Sequence, residues 1–471
     1  MFKKVLFISL FIAVISVACS VASTLSSEAQ ATTVPPVEKT CVVTNDEFAS
    51  WFADGSISKN GLVKPADSLK PLDDNCDFHK WSWQMFLWIT SPVDYGRLVL
   101  DSTSFFDLSE NNNLVSNAPG NTNKPSVRGG KIERLGQAGI VNGALISQNV
   151  GITPEGSLVY YAIHVNDVYA YFASGVNSGD PELKKMKQFP TTEVDLRRIT
   201  TYAKRTYGAE INNPNALTME LKSSWVRVGD GMDASQYITV KADIPKYEKK
   251  SATEWTWDGT SLEKGATLAM VGIHVVGSVK GHPEMIWATF EHVNNAPNAD
   301  FQYKDSDGSV TTHSSFNSDG TAKKKKWLFF DDGTKKSANQ MRMELEGKDL
   351  IAEKNMTIGP SNTYRTHAWG NISGAIEENT SILSLNESIL GKLETGDIRK
   401  NYILIGSVWT TNGVPGVGDQ KPVYQGSKKL ANATMETYFQ YKQCFDCHQG
   451  GEINGLSHIF SEIKPLPIQT K

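Results

Sequence analysis

The sequence has little net charge, and this limits the partners that it can bind. Its 47 Lys and Arg residues nearly balance its 51 Asp and Glu residues, so the formal net charge of the 471-residue chain is -4. Binding to nucleic acid requires a strongly positive surface that neutralises phosphate groups. We therefore expect no nucleic acid partner.

Long apolar runs are missing beyond the N-terminus. The run from Val5 to Val17 follows Lys3 and Lys4, and this order is typical of an export signal. No later stretch approaches the roughly 20 apolar residues that a membrane helix needs. The sequence therefore predicts a body that is soluble after export.

Two sites for removal of the signal are open. Cleavage after residue 18 would leave Cys19 as the lipidated first residue of a lipoprotein, whereas Ala29-Gln30-Ala31 would release a soluble protein. We assign residues 1–31 to the export signal and leader, with residues 1–18 as the alternative lipoprotein signal. We expect the protein in the bacterial periplasm. If Cys19 carries a lipid anchor, the protein is membrane-anchored and faces the periplasm or the cell surface.

Common catalytic signatures are also missing. The sequence has no Gly-X-Ser-X-Gly motif and no phosphate-binding loop, and the histidines near 266–293 show no His-X-His spacing. Asp305 to Gly308 and Asn317 to Gly320 lack the ligand series of a calcium loop, so we interpret both as turns. Enzymatic activity therefore stays undecided at this stage.

Cysteine is scarce, and the five cysteines divide into three groups. Cys19 belongs to the signal or the anchor, and Cys444 and Cys447 lie together near residue 448. Cys41 and Cys76 remain, and the oxidising compartment of an exported protein favours a disulfide between them. Two unrelated buried thiols are the alternative.

The stretch Cys444-Phe445-Asp446-Cys447-His448 carries the clearest chemistry in the sequence. Two thiols at this spacing, followed at once by an imidazole, form the attachment sequence for a c-type haem. A thioredoxin-type site would not need the histidine, and zinc would need a second ligand pair. The sequence predicts one covalent haem c, with thioethers at Cys444 and Cys447 and His448 as the proximal iron ligand.

The motif resembles that of c-type cytochromes. Together with Met285 to His292 and Thr434 to Phe439, it makes the chain similar to long exported bacterial monohaem proteins of uncharacterised type. The resemblance implies one haem in a large fold that is not a cytochrome fold. Since residues 449–471 contain no methionine, we expect the preceding body to form much of the haem pocket.

The ligand on the other face of the iron has several candidates. His458 is the nearest histidine, and a pair of histidine ligands suits electron transfer. Met435 is a local alternative, and His274 or His282 could come from the body. An empty position would permit chemistry with peroxide or oxygen.

Hydrophobic periodicity predicts an α+β, β-rich fold with an antiparallel, sandwich-like or mixed body over residues 40–425. A short helical segment for haem attachment follows over residues 426–471. The predicted strands are Leu217–Val228, Tyr237–Ile244, Ala266–Ser278, Glu284–Val293, Trp327–Phe330 and Tyr402–Trp409. The predicted helices are Asn45–Ala53, Asp77–Ile89, Ser337–Glu346 and Asn432–Lys442.

Two main functions follow from these features. The first is electron transfer through the covalent haem to a redox partner protein. The alternative is a periplasmic haem-dependent oxidoreductase that oxidises small molecules or uses peroxide or oxygen, with the body forming the substrate pocket. A haem-based sensor lipoprotein is a weaker third interpretation.

Overall fold

The computed structural model describes residues 35–93, 97–109, 111–116, 128–129, 143–148, 156–324, 326–331, 335–411, 413–416 and 423–468. The predicted export signal, Cys19 and both cleavage sites lie outside the described residues. None of the helices in these ranges is long and apolar enough to cross a membrane.

The fold is α+β and β-rich, with antiparallel strand pairing, as the sequence predicts. Helices and strands follow in chain order, and their bounds are α1 (Asn45–Trp51), α2 (Asn75–Ile89), β1 (Phe105–Leu108), β2 (Leu114–Ser116), β3 (Arg128–Gly129), β4 (Val159–Asn166), α3 (Asp167–Ser178), α4 (Glu193–Tyr207), β5 (Met219–Arg227), β6 (Thr239–Pro245), β7 (Glu248–Lys249), β8 (Glu254–Thr256), β9 (Leu262–Val279), β10 (His282–His292), β11 (Phe301–Lys304), β12 (Val310–His313), β13 (Met343–Glu346), β14 (Asp349–Ala352), α5 (Ile376–Lys392), β15 (Tyr402–Thr410), β16 (Tyr424–Gly426), α6 (Cys444–Cys447) and α7 (Ile453–Leu456).

One large sheet organises the described part of the chain. Its strand order is β16-β15-β10-β9-β5-β4-β1-β2, with β3 beside β4 and β6 beside β9. Strand β9 is long enough to pair with β5 along one edge and with both β10 and β6 along the other. The remaining strands form a hairpin of β11 and β12 and a small sheet in the order β13-β14-β8-β7.

Helix α2 covers one face of this sheet. The rings of Trp83 and Phe86 lie 5.0 and 4.3 Å from the ring of Phe290 on β10. Trp83 also donates a hydrogen bond to Asn386 of α5 at 3.0 Å. Helix α2 matches the helix predicted over Asp77–Ile89, and its aromatic side chains form the apolar layer on this side of the sheet.

The predicted disulfide is present at the start of α2. Cys41 and Cys76 are bonded, with their Cα atoms 5.5 Å apart. The segment before α1 is further held by α5, because Ser384 accepts a hydrogen bond from the N–H of Cys41 at 3.2 Å. The N-terminal part of the body is thus tied to two helices on the same face of the sheet.

Two of the elements predicted for the body differ in the structure. The helix expected over Ser337–Glu346 is replaced by a short turn of helix at Lys335–Ser337 and by strand β13. Met343 and Leu345 are buried in β13 and alternate with two glutamates, which is the period of a strand. The strand expected over Trp327–Phe330 is also wrong, because these residues follow an irregular path.

Candidate functional site

The face of the large sheet opposite α2 forms the floor of a cavity. Lys222 of β5 lies directly across from His274 of β9, and Glu220 lies across from Val276. Val276 in turn lies across from Trp287 of β10. Residues opposite each other in antiparallel strands share a face, so these five side chains line one surface.

The chain from Asn432 to His448, which we call the haem-motif segment, contacts this floor through polar groups. Asn432 donates to the hydroxyl of Thr289 at 2.8 Å, and the hydroxyls of Thr434 and Ser224 lie 2.7 Å apart. Gly272 lies beneath these contacts, and a Cβ at this position would lie 2.7 Å from the hydroxyl oxygen of Thr434. The glycine therefore permits the segment to approach the sheet.

A buried ion pair anchors the same segment. Glu291 and Arg365 are 0% and 3% exposed, and their side chains meet at 2.7 Å. The second carboxylate oxygen of Glu291 accepts a hydrogen bond from the N–H of Ala433 at 2.9 Å. The carboxylate thus joins the body to the haem-motif segment in the protein interior.

The short helix predicted over Asn432–Lys442 is not formed, and the segment is a series of turns. The side chain of Asn432 accepts a hydrogen bond from the N–H of Thr434, and Glu436 accepts one from the N–H of Asn432, both at 2.9 Å. Such local bonds between side chain and backbone compete with helix formation. Short helices occur instead in α6 and α7.

Helix α6 places the two cysteines of the motif at the cavity. Cys444 and Cys447 both line it and neither forms a disulfide, the first half-buried and the second exposed. Burial raises the pKa of the Cys444 thiol, and the negative charge of Glu436 raises it further. Cys444 therefore stays protonated near neutral pH.

His448 is held in one orientation by three neighbours. Its Nδ1 donates a hydrogen bond to the carbonyl oxygen of Leu456 at 2.7 Å. Its ring lies 4.4 Å from the ring of His458 and 4.2 Å from that of Trp287. Because a carbonyl only accepts, Nδ1 carries the proton and Nε2 carries the lone pair of the neutral ring. This is the state in which histidine binds a metal, with its other nitrogen held by a backbone carbonyl.

His458 lies beside His448. The two rings are stacked with an angle of 16° between their planes, and Nε2 of His458 donates to the carbonyl oxygen of Cys447 at 3.2 Å. Two axial ligands of one haem approach the iron from opposite faces, so binding by His458 would require its ring to leave this stack. Its role as the second axial ligand stays a prediction.

The other candidate ligands are distributed differently. Of the described residues, those that line the cavity include His274 but neither Met435 nor His282. Met435 is fully buried in a separate apolar cluster with Val271. His282 bonds to Glu284 at 2.8 Å at the start of β10. Only His274 among these three faces the same cavity as the motif.

His274 forms a polar pair with Glu436. Its Nε2 lies 3.1 Å from a carboxylate oxygen of Glu436. Burial alone would raise the pKa of Glu436, but His274, the Asn432 N–H and the charge of Lys222 outweigh burial and lower the pKa to about 2. Glu436 is therefore a carboxylate at neutral pH. The sequence did not single out Glu436 as a residue of the site. The alternation of β5 did place two other lining residues, Glu220 and Lys222, on one face of the strand.

Three other histidines serve the core. Burial lowers the pKa of His79 to about 3, and the ring bonds to Ser407. His164 bonds to Asp107 at 2.6 Å. Burial also lowers the pKa of His292 to about 3, and its ring is stacked on Tyr237.

The residues around the cavity fit a covalently attached haem. The cavity has a volume of about 370 Å³, and Val276, Trp287, Leu430 and Phe439 supply apolar walls. The two thiols and the oriented imidazole of His448 form a donor set for two thioether bonds and one iron ligand. In the described part of the chain, no group of three or more His, Cys, Asp or Glu side chains is arranged to hold a metal ion by itself.

Comparison with known proteins gives no match: no family model, no curated protein and no solved structure is significantly similar to the chain.

Proposed function

We propose that this chain is an exported monohaem c-type protein that transfers electrons through one covalent haem. Cys444 and Cys447 form the thioether bonds, and His448 is the proximal ligand of the iron. The observation that carries the proposal is the 2.7 Å hydrogen bond from Nδ1 of His448 to Leu456, in a cavity that both thiols also line. A backbone carbonyl bonded to one ring nitrogen is the arrangement in which histidine commonly binds a metal through the other nitrogen.

The residues around the site would hold the haem through two thioether bonds and an oriented imidazole. Haem c supplies one-electron chemistry when it is bound. Trp287 and His458 fix the plane of the His448 ring by packing against it. Val276, Trp287, Leu430 and Phe439 supply apolar surface on the cavity walls, and the surroundings of a haem are one of the means by which a protein sets its reduction potential.

The proposal includes the setting of the protein. Attachment of haem c outside the cytoplasm agrees with the N-terminal export signal, and the electrons would pass to or from a redox partner protein. Two alternatives follow: the protein is anchored to a membrane by a lipid at Cys19, or it is free in the periplasm. Labelling with a radioactive fatty acid, compared between the natural chain and Cys19→Ser, distinguishes them.

Covalent haem is tested by expressing the full chain with its signal in bacteria that attach haem c. We expect one haem per chain, retained after acid-acetone extraction and detected as a pyridine haemochrome. Cys444→Ser combined with Cys447→Ser should lose the retained haem, whereas Asp446→Asn, which lies between the cysteines, should keep it. A natural chain that releases all its haem on extraction contradicts the proposal.

Electron transfer is tested on the haem-loaded protein. We expect a reversible one-electron couple by protein-film voltammetry and an oxidised form that a reduced small c-type cytochrome reduces in stopped-flow mixing. Irreversible electrochemistry, together with steady turnover of peroxide by the protein, would contradict a function in electron transfer alone.

A haem-dependent oxidoreductase is the second candidate. The pair His274 and Glu436 favours it, because an electron carrier has no need of a polar pair in its haem cavity. Steady oxidation of a phenol by peroxide, lost in His274→Ala, would support this candidate.

A further inference from the structure

The carbonyl oxygen that orients His448 belongs to a peptide group with a second hydrogen bond. Leu456 supplies this carbonyl, which accepts from Nδ1 of His448 at 2.7 Å. The N–H of the same peptide group belongs to Ser457 and donates to the carbonyl oxygen of Ile453 at 2.8 Å. Because a peptide group is planar, the contacts that hold Ser457 also set the direction of the Leu456 carbonyl.

The loop between His448 and this peptide group gives it little support of its own. Gly450 and Gly451 have positive φ angles of 140° and 74°, and glycine has more backbone freedom than any other residue. Their N–H groups donate to the carbonyl oxygen of Pro415 at 2.8 and 2.9 Å, which holds the start of the loop and not its end. Contacts from other elements therefore decide how firmly the Leu456 carbonyl is held.

The hydroxyl of Ser457 supplies such contacts to two elements of the body. It donates to a carboxylate oxygen of Glu220 on β5 at 2.6 Å, and it lies 2.6 Å from the hydroxyl of Tyr169 on α3. Burial raises the pKa of Tyr169 well above its ordinary value, and the charge of Glu220 raises it further, so the phenol keeps its proton. Since Ser457 gives its only hydroxyl proton to Glu220, Tyr169 is the donor to Ser457.

Both partners of Ser457 have fixed positions. The ring of Tyr169 is fully buried and lies 5.6 Å from the rings of Phe189 and Phe460. Glu220 lies across from Val276 in the pairing of β5 with β9. Ser457 itself is only 1% exposed, so water has little access to its two hydrogen bonds.

We infer that Ser457, held between Tyr169 and Glu220, is a positioning residue that keeps the Leu456 carbonyl on Nδ1 of His448 and thereby lowers the reduction potential of the haem iron. A hydrogen bond from the second nitrogen makes a ligating imidazole more basic, and a more basic ligand stabilises ferric over ferrous iron. The inference rests on the covalent haem of the proposed function and on His448 as its ligand, but not on electron transfer.

The haem-loaded full chain is the material, and a redox titration followed in the visible spectrum gives its midpoint potential. We expect Ser457→Ala to raise the potential by about 59 mV, which is a tenfold change in the ratio of ferric to ferrous haem for a one-electron couple. Tyr169→Phe removes one hydroxyl, keeps the ring that packs on Phe460, and should raise the potential by a smaller amount. Ser457→Thr keeps the hydroxyl and should have a potential close to that of the natural chain. Glu220 is not varied, because it lines the cavity and its charge would act on the iron directly.

Ser174→Ala is the matched control. Ser174 is fully buried on α3, and its hydroxyl accepts a hydrogen bond from the N–H of Leu466 at 3.1 Å. It therefore ties the chain after α7 to the same helix without a bond to the peptide group of Leu456 and Ser457, and its loss should leave the potential unchanged.

The haem-free chain provides a second measurement. Nitrogen NMR of the neutral His448 ring should show the proton on Nδ1 in the natural chain and a mixture of the two tautomers in Ser457→Ala. This comparison does not depend on whether haem is attached.

Two results would overturn the inference. The first is the natural potential in both Ser457→Ala and Tyr169→Phe; if the alanine variant does not retain haem, the phenylalanine variant decides alone. The second is an equal rise of the potential in Ser174→Ala, because general loosening of the C-terminal chain would then be sufficient. Loss of all haem from the natural chain on extraction is a separate result that overturns the proposed function. In that case an unchanged tautomer in Ser457→Ala also overturns the positioning by Ser457.

Discussion

Replacing Gly272 by alanine tests how the haem-motif segment is held on the sheet. The new Cβ would lie 2.7 Å from the hydroxyl oxygen of Thr434, 2.8 Å from that of Ser224 and 2.9 Å from Nδ2 of Asn432. All three distances are shorter than real Cβ contacts. These atoms also make the hydrogen bonds that dock the segment, so relief of the overlap breaks at least one of them.

The magnitude follows from these contacts. Overpacking of a filled interior costs about 1 to 3 kcal/mol, and each broken hydrogen bond costs about 1 kcal/mol more. We therefore expect Gly272→Ala to lower the free energy of unfolding by about 2 to 5 kcal/mol. The haem-free protein should also expose Cys444, because the displaced segment leads directly into α6.

Guanidinium unfolding followed by tryptophan fluorescence measures the free energy, and alkylation of Cys444 measures the local opening. Gly359→Ala is the control, because no heavy atom of the described structure lies within 4 Å of its added Cβ. Its stability should equal that of the natural chain. Unchanged stability and unchanged alkylation in Gly272→Ala would refute the docking that we describe.

Two further predictions concern buried charges. Arg365→Met leaves the carboxylate of Glu291 buried without its ion pair, and it should lower the free energy of unfolding in urea by about 3 to 5 kcal/mol. Adding Glu291→Gln to this variant removes the buried charge and should restore most of the lost stability. A double variant as unstable as the single one would contradict this. Burial raises the pKa of Asp101 from 3.8 to about 7, with smaller effects of His164, which lowers it, and Asp107, which raises it. The folded state therefore keeps a proton that the unfolded state loses, so stability should fall by about 1.4 kcal/mol per pH unit as the pH rises between these values, and Asp101→Asn should remove this slope.

The strands were predictable where apolar and polar residues alternate along the sequence. Met219, Leu221 and their polar neighbours in β5 have the period of a half-buried strand, and the hairpin of β9 and β10 has β-branched runs around a turn with glycine and proline. The disulfide was predictable from chemistry, because paired cysteines form disulfides in the oxidising compartment that exported proteins enter. Both kinds of signal are contained in short stretches of sequence.

Helix α5 was missed for a physical reason. Its buried face includes Thr380, Ser384 and Ser388, which bond to neighbouring backbone and so do not contribute to a hydrophobic period. Helix α4 was missed in spite of clear signals, since Thr192 caps its start and Gly208 ends it in a left-handed conformation. A search for caps, in addition to periodicity, would have found it.

Some residues of the site were predictable from a local sequence pattern, and others were not. Cys444, Cys447 and His448 are neighbours in sequence, so their chemistry is visible in five residues. Lys222, His274 and Trp287 meet that motif only because β5, β9 and β10 are adjacent in the sheet. Adjacency of this kind depends on long-range pairing, which a local pattern does not contain.

The alternation of β9 separates two sets of positions that can vary independently. Ile273 and Val275 belong to the apolar layer, whereas His274 and Val276 line the cavity. A substitution of His274 changes the cavity and leaves Ile273 and Val275 in place. The pocket could therefore acquire a different ligand preference by exchange of a few side chains, without any change to the layer that stabilises the fold. A shift of one residue in strand register would instead exchange the two sets and destroy both.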